Sequence, residues 1–248
     1  MQWPVIFRRK TMKRNVKLIS LLLALVMVIG LAACGKAKDT DPANAAYVTL
    51  TVEAQPAQAK DNSYIAAKAV EIPAEGSTVG DVIKAVHKNL FKDGEAGFAT
   101  AQTQYGESIT KMWGIENGGS YGYYVNGAMA MGLTDPVKPG DRVDLLVYKD
   151  AAGFSDAFMY MEATATGTKV DVTVKAMSFD ANWNPVMKEL AGAKIYTIGK
   201  DGKLAATGAA TDEKGVASLE LKAGIYRLVA INTDGLYTVS AQKVVITK

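Results

Sequence analysis

TVGDVIKAVHKNLF, residues 78–91, decides how the first half of the chain reads. Val79, Val82, Ile83, Val86 and Leu90 recur at the three-to-four-residue spacing of one helix face. Thr78 and Asp81 form an N-cap signature, the hydroxyl satisfying a free amide of the first turn. The spacing predicts a single amphipathic helix. Lys84 and Lys88 point away from the apolar stripe, and His87, the only histidine, falls on its solvated flank. On either side the period changes to two. Residues 47–52 alternate through Val48, Leu50 and Val52, and residues 66–72 read as a second strand. After the helix, residues 92–108 contain several glycines and are weakly patterned. Residues 109–115 and 121–126 are strand-like, Asn126-Gly127 is a strong turn signal, and RVDLLVY (residues 142–148) closes with Val143, Leu145 and Val147 alternating. This order predicts an α+β module, residues 47–150, in which one helix covers one face of a mixed sheet.

The second half has no helical period. Residues 151–167 read as a linker, and residues 168–248 as an all-β module. Short strands are expected at 169–179, 194–198, 204–211, 216–221, 224–231 and 237–247, spaced by Gly/Asp turns in the manner of a small β-sandwich. Asp201-Gly202 and the run from Asp212 to Gly215 could suggest calcium. Lying between strand-like runs, they read instead as hairpin turns, where glycine supplies the positive φ.

Ahead of both modules stands a leader. Lys13, Arg14 and Lys17 precede LISLLLALVMVIGL (residues 18–31), a charge-free run of 14 residues. That run falls short of the ~18–20 residues that span a bilayer, and small residues follow it up to Cys34, as in a secretory signal. The string Leu-Ala-Ala-Cys, residues 31–34, resembles the lipobox of bacterial lipoproteins, in which the cysteine is acylated and becomes the first mature residue. Residues 1–33 are therefore expected to be a signal peptide and residues 34–46 the lipidated cysteine and a polar tether. Met12 begins a better-formed signal than Met1 does. The expected location is extracytoplasmic, anchored by lipid to the membrane at the bacterial cell surface.

Removing the leader changes the charge. Residues 1–33 hold six of the 28 basic residues and no acid, which leaves 22 bases against 25 acids, net −3. No basic patch for nucleic acid stands out. Cys34 is the only cysteine, so with it acylated no disulfide and no cysteine-based metal site forms. One histidine cannot make a cluster, and no G-x-S-x-G elbow, Walker loop, Rossmann fingerprint or EF-hand loop occurs. The chain is read as a binding protein without catalytic residues, metal or cofactor.

Candidate ligand contacts crowd one region. Trp113, Tyr121, Tyr123, Tyr124, Asn126, Met129 and Met131 interleave with glycines from Gly114 to Gly132. Small residues permit close backbone approach while rings and thioethers supply adaptable apolar contact. In a strand, Tyr121 and Tyr123 share one face and Tyr124 takes the other, so part of this set packs a core; which part is left open by the sequence.

Three strings carry a family resemblance: GSTVGDVIKAV (residues 76–86), ITKMWGIENGGSYGYYVNG (109–127) and VKPGDRVDLLVY (137–148). Together they resemble the family with a transcobalamin C-terminal-like fold, within the wider β-grasp class. The resemblance implies a β-grasp-like first domain and, because the family includes the C-terminal domains of animal cobalamin carriers, a corrinoid as ligand. No counterpart of those carriers' helical barrel is read in this chain. In the second half, AGAKIYTIGKDGK (191–203), TDEKGVASLELKAGIYRL (211–228) and DGLY (234–237) resemble collagen-adhesin B-type and related prealbumin-like repeats. Those are stalk or spacer modules, and they imply the alternative role of adhesion to a surface protein or cell-wall glycan. Many carry a Lys–Asn isopeptide bond promoted by an acid. Ala230 occupies the acid's position here and residues 244–247 contain no asparagine, so a plain sandwich is implied.

Overall fold

The computed structural model describes residues 41–149 and 156–247. The expected signal peptide, Cys34, most of the expected tether and the start of the expected linker lie outside the described residues. From Pro42 onward the chain forms one compact unit. It is β-rich, with several sheets and, among the described residues, a single α-helix.

The helix, α1, runs Val79–Leu90 and is capped by Thr78, whose side chain accepts from the Asp81 amide. The main sheet of the first part surrounds it in sequence. It contains β1 (Ala45–Val52), β2 (Gln55–Pro56), β3 (Lys68–Glu71), β7 (Tyr121–Val125), β8 (Ala128–Met129) and β10 (Arg142–Val147). Strands β1 and β10 pair in parallel at its centre, from Tyr47 opposite Arg142 to Val52 opposite Val147. The other pairings are antiparallel, so the sheet is mixed. Val82, Ile83 and Val86 of the helix join Val48, Leu50, Val143, Leu145 and Val147 in one buried cluster. Two small ribbons flank it: β4 (Ser77–Thr78) with β9 (Pro136–Val137), and β5 (Ala99–Thr103) with β6 (Gly106–Lys111). The stretch 92–108, weakly patterned in sequence, thus contains a short 3₁₀ turn, β5 and the start of β6.

The second part has two four-stranded sheets. One holds β11 (Met159–Thr166), β12 (Lys169–Phe179), β13 (Pro185–Glu189) and β16 (Val216–Glu220). The other runs in the order β15 (Leu204–Ala210), β14 (Lys194–Ile198), β17 (Gly224–Ile231), β18 (Ser240–Ile246). Met161, Val172 and Val174 from the first share a buried cluster with Ile195, Leu228 and Val244 from the second. Three readings are corrected here. Residues 159–166, placed in the linker from sequence, form β11, paired along its whole length with β12. Residues 185–189, assigned no element, form β13. The run from Asp212 to Gly215 is not a hairpin turn, because β15 and β16 lie in different sheets and the turn carries the chain between them. The Asp201-Gly202 turn does join paired neighbours.

Where β11 meets β18, side chains replace a backbone ladder. The amides of Met159, Met161 and Ala163 donate to Thr238 Oγ1, Ser240 Oγ and Gln242 Oε1 at 2.9, 2.9 and 2.8 Å. Alternate residues of an extended segment share one face, so Thr-x-Ser-x-Gln presents an acceptor at each step.

The second part also covers the face of the first sheet opposite the helix. Tyr124 of β7 stacks on Phe158 at 3.7 Å between ring centroids, nearly coplanar at 6°, and packs with Leu146 and Tyr148. The Val239 amide donates to Thr51 Oγ1 at 3.0 Å. Arg142 donates to the Met161 carbonyl at 2.7 Å and lies over the Tyr160 ring. Both faces of β10 are consequently covered, and residues 143–148 are all buried.

Candidate functional site

His87 organises the most developed site. It continues the buried face of α1 and is fully buried, which corrects its reading as a solvated flank residue. Phe91, Phe98 and Trp113 surround its ring, and together they extend the apolar stripe by one more position. Nδ1–H donates to the Ile83 carbonyl at 2.8 Å, and Nε2 accepts from the Trp113 amide at 2.8 Å. One nitrogen donates and the other accepts, so the imidazole is neutral. Burial pushes its pKa below the ordinary value, opposed only by the Ile83 carbonyl.

Trp113 is held in an uncommon backbone state. The Met112 and Ile115 backbones exchange both hydrogen bonds around Trp113-Gly114, a two-residue turn with φ of +54° and +76°. Such turns favour Asn-Gly, and a bulky side chain in the left-handed region is strained by about 1–2 kcal/mol. The His87 bond and ring contact with Phe91 at 4.7 Å hold it there. A Cβ on Gly114 would approach the Phe91 ring to 2.9 Å, so glycine is needed for this packing as well as for its φ.

The half-buried Trp113 side chain stands where two clefts meet. The larger, of about 820 Å³, is lined by the Phe91 and Trp113 rings and by Lys60, Asn62, Lys92 and Asp93. The smaller, of about 440 Å³, is lined by Val52, Pro56, Ala57, Tyr64 and Leu204. Gln58 and Trp113 belong to both. Lys111, also on the larger cleft, pairs with Glu116 at 3.0 Å.

The other sequence candidates do not converge on Trp113. Tyr121, half-buried, donates its hydroxyl to the Ile115 carbonyl at 2.8 Å and so locks the β6–β7 connection. Tyr123, Met129 and Met131 border a separate shallow groove of about 270 Å³, with Tyr121 and Tyr148. Met129 and Met131 are 52% and 88% exposed, an apolar surface open to contact. Tyr124 is corrected as a ligand contact: it is buried against Phe158 because its strand faces the second part. Asn126 is structural, its amide donating to Asp141 Oδ1 and its carbonyl oxygen accepting from the Arg142 amide, both at 2.9 Å.

Sequence reasoning missed Phe91, Asn62, Tyr64 and Leu204 as cleft residues. Phe91 was legible as the apolar residue just past the helix. The others belong to turns or strands brought together from distant chain positions. Among the described residues, no group of three or more His, Cys, Asp or Glu side chains is placed to hold a metal ion. Compared with known proteins, the chain matches no family model and no curated protein.

Proposed function

We propose that the chain is a bacterial surface lipoprotein, anchored through Cys34, that binds an extracellular ligand at the Trp113 clefts and performs no catalysis. In this reading the first part is a β-grasp-like, transcobalamin C-terminal-like domain and the second a prealbumin-like β-sandwich. The observation that carries it is Trp113. A strained backbone is retained where the surroundings over-determine it, and such residues cluster at ligand sites. Here a fully buried histidine and a glycine-packed Phe91 hold an indole between two clefts. A corrinoid is the ligand that the family resemblance implies.

The test is incubation of residues 35–248 with cobalamin, following the absorption spectrum and co-elution. Binding that Trp113→Ala removes supports the corrinoid; no co-elution ends it. Anchoring is tested apart, since stable anchoring needs the acyl chains: Cys34→Ala should move the protein out of the membrane fraction. A variant that still pellets in high salt would sink the lipoprotein reading.

The second reading is adhesion to a surface protein or glycan. It is favoured by the β12–β13 hairpin tip, where Phe179 and Trp183 pair at 6.0 Å while 49% and 80% exposed. Isolated apolar residues at a surface are ordinary, whereas paired exposed rings suit contact with a partner.

A further inference from the structure

The smaller cleft contains a residue from the far end of the sequence. Leu204 begins β15 of the second part, yet it lines the same wall as Val52, Pro56 and Tyr64 of the first. The segment bearing Tyr64 is held from both sides. The Lys60 amide donates to the Leu90 carbonyl at 2.7 Å, tying the loop to the end of α1. The Tyr64 amide donates to the Gly202 carbonyl at 3.0 Å, tying it to the β14–β15 turn. Gly202 has φ of +74°, and a Cβ there would stand 2.5 Å from that of Ser63, so the two backbones touch. Just beyond, Ala66 and Ala67 are buried with Val229, Ile231 and Val239, and Leu204 packs against this cluster.

The two clefts also differ chemically. The larger combines ring faces with amide, ammonium and carboxylate groups. The smaller has no charged side chain in its lining: Val52, Pro56, Ala57 and Leu204 stand with the Tyr64 and Trp113 rings, and only Gln55 and Gln58 bring polar groups. Ligand sites of this kind use apolar walls for burial and a few polar groups for orientation.

We propose that the site is shared by the two parts of the molecule, Leu204 and the Gly202 turn completing a two-part cleft for a ligand with a planar, polar-substituted body and an apolar appendage. This rests on the Trp113 clefts being the ligand site. The second part is then a specificity element rather than a spacer, and Leu204 selects the appendage.

The probe is 8-anilinonaphthalene-1-sulfonate, a planar aromatic anion with an apolar phenyl group. The protein is residues 35–248 carrying Trp183→Phe, which leaves Trp113 as the sole indole. The parent should show energy transfer from Trp113 to the bound dye. Leu204→Asp should weaken dye binding at least tenfold while the protein still unfolds cooperatively, and Leu204→Met should restore binding. Gly202→Ala keeps the leucine but wedges Ser63, and should weaken binding several-fold should the aspartate variant fail to fold. If the Leu204 and Gly202 variants bind dye like the parent while Trp113→Ala does not, the shared site is overturned and the Trp113 site stands. No energy transfer in the parent overturns both. Dye binding that depends on Leu204, alongside no binding of cobalamin, keeps the shared site and removes the corrinoid.

Discussion

The two faces of the first sheet differ in chemistry, one wholly apolar where β1 and β10 meet the helix and the other mixed, although one set of strands supplies both. On the helix side, β1 and β10 present Val48, Leu50, Val143, Leu145 and Val147, and the buried histidine has both nitrogens bonded. On the other side the same strands present Thr49, Thr51, Arg142 and Asp144 beside Leu146 and Tyr148, and the two threonines and Asp144 are as buried as the aliphatic residues. Asp144 Oδ2 and Arg142 Nε lack hydrogen-bond partners there. The helix side is a satisfied core. The far side mixes buried polar groups with the Tyr124, Leu146, Tyr148 and Phe158 cluster, and burying its polar groups costs free energy unless each is bonded. The comparison teaches that alternation in a sequence reports side-chain polarity, and does not by itself report which face meets water.

The largest expected effect comes from removing the cover. A chain shortened to residues 42–149 keeps the helix and the whole mixed sheet but exposes Tyr124, Leu146, Tyr148 and the polar row. Loss of cooperative urea unfolding is expected, a change on the scale of a whole domain's ~5–15 kcal/mol. A sharp transition with intact near-ultraviolet circular dichroism would make the first part an independent domain and break the comparison.

Single substitutions sharpen it. Phe158→Ala should lose about 3–5 kcal/mol and Ile83→Ala about 2–5 kcal/mol, if the two sides are equally core-like. Chemical melts of the pair decide this. A loss below about 1 kcal/mol for Phe158→Ala would class the far side as a loose contact rather than a packed interior.

Dependence on pH should have opposite signs on the two sides. Burial, opposed by Arg142, raises the Asp144 pKa from 3.8 to about 7. The folded state then binds more protons than the unfolded one across that window. Its stability is complete below the unfolded pKa and declines as pH rises through the folded one. At 1.36 kcal/mol per pH unit, the decline is on the order of 4 kcal/mol, and Asp144→Asn should remove most of it. His87 acts the other way. With its pKa lowered, the folded state resists a proton that the unfolded state accepts, so stability falls as pH drops below about 6.5. Melts of Asp144→Asn from pH 4 to 8 should show only this acid-side loss. A decline with rising pH that persists in the variant would assign it to another group.

The smallest stability effect is expected at Trp113. In Trp113→Gly, lost ring contacts are offset by relief of the left-handed backbone, for a net change within about 1–2 kcal/mol. Ligand or dye binding should nevertheless disappear. A loss as large as that of Phe158→Ala would make Trp113 a core residue and take away its functional reading.

Much of the fold was legible for a local reason. The helix at Val79–Leu90, its Thr78 cap, and strands β1, β7, β10, β12 and β17 follow from period and turn chemistry, which act within a few residues. β11 was missed although Met159, Met161 and Ala163 alternate, because the small polar residues around them resemble a linker. β13 was missed because Pro185 opens it and most of its residues are exposed, so no apolar alternation marks it. For the site, Trp113 was legible as an aromatic residue among glycines. Its His87 partner was placed on the wrong side of the waterline, because the apolar stripe widens only when Phe91, Phe98 and Trp113 arrive.

What the sequence by itself determined is the helix, most of the longer strands, the polarity of their alternate residues, and a change of periodicity between the first and second halves. Tertiary structure alone decided that the mixed face of the first sheet is interior, that Tyr124 is core, and that Leu204 reaches the Trp113 cleft. The physical reason is range. Propensity and capping act between neighbours in the chain, whereas burial depends on which surfaces arrive from far away. Thr51 and Val239, 188 residues apart, meet through two hydrogen bonds at the threonine hydroxyl that neither local sequence announces.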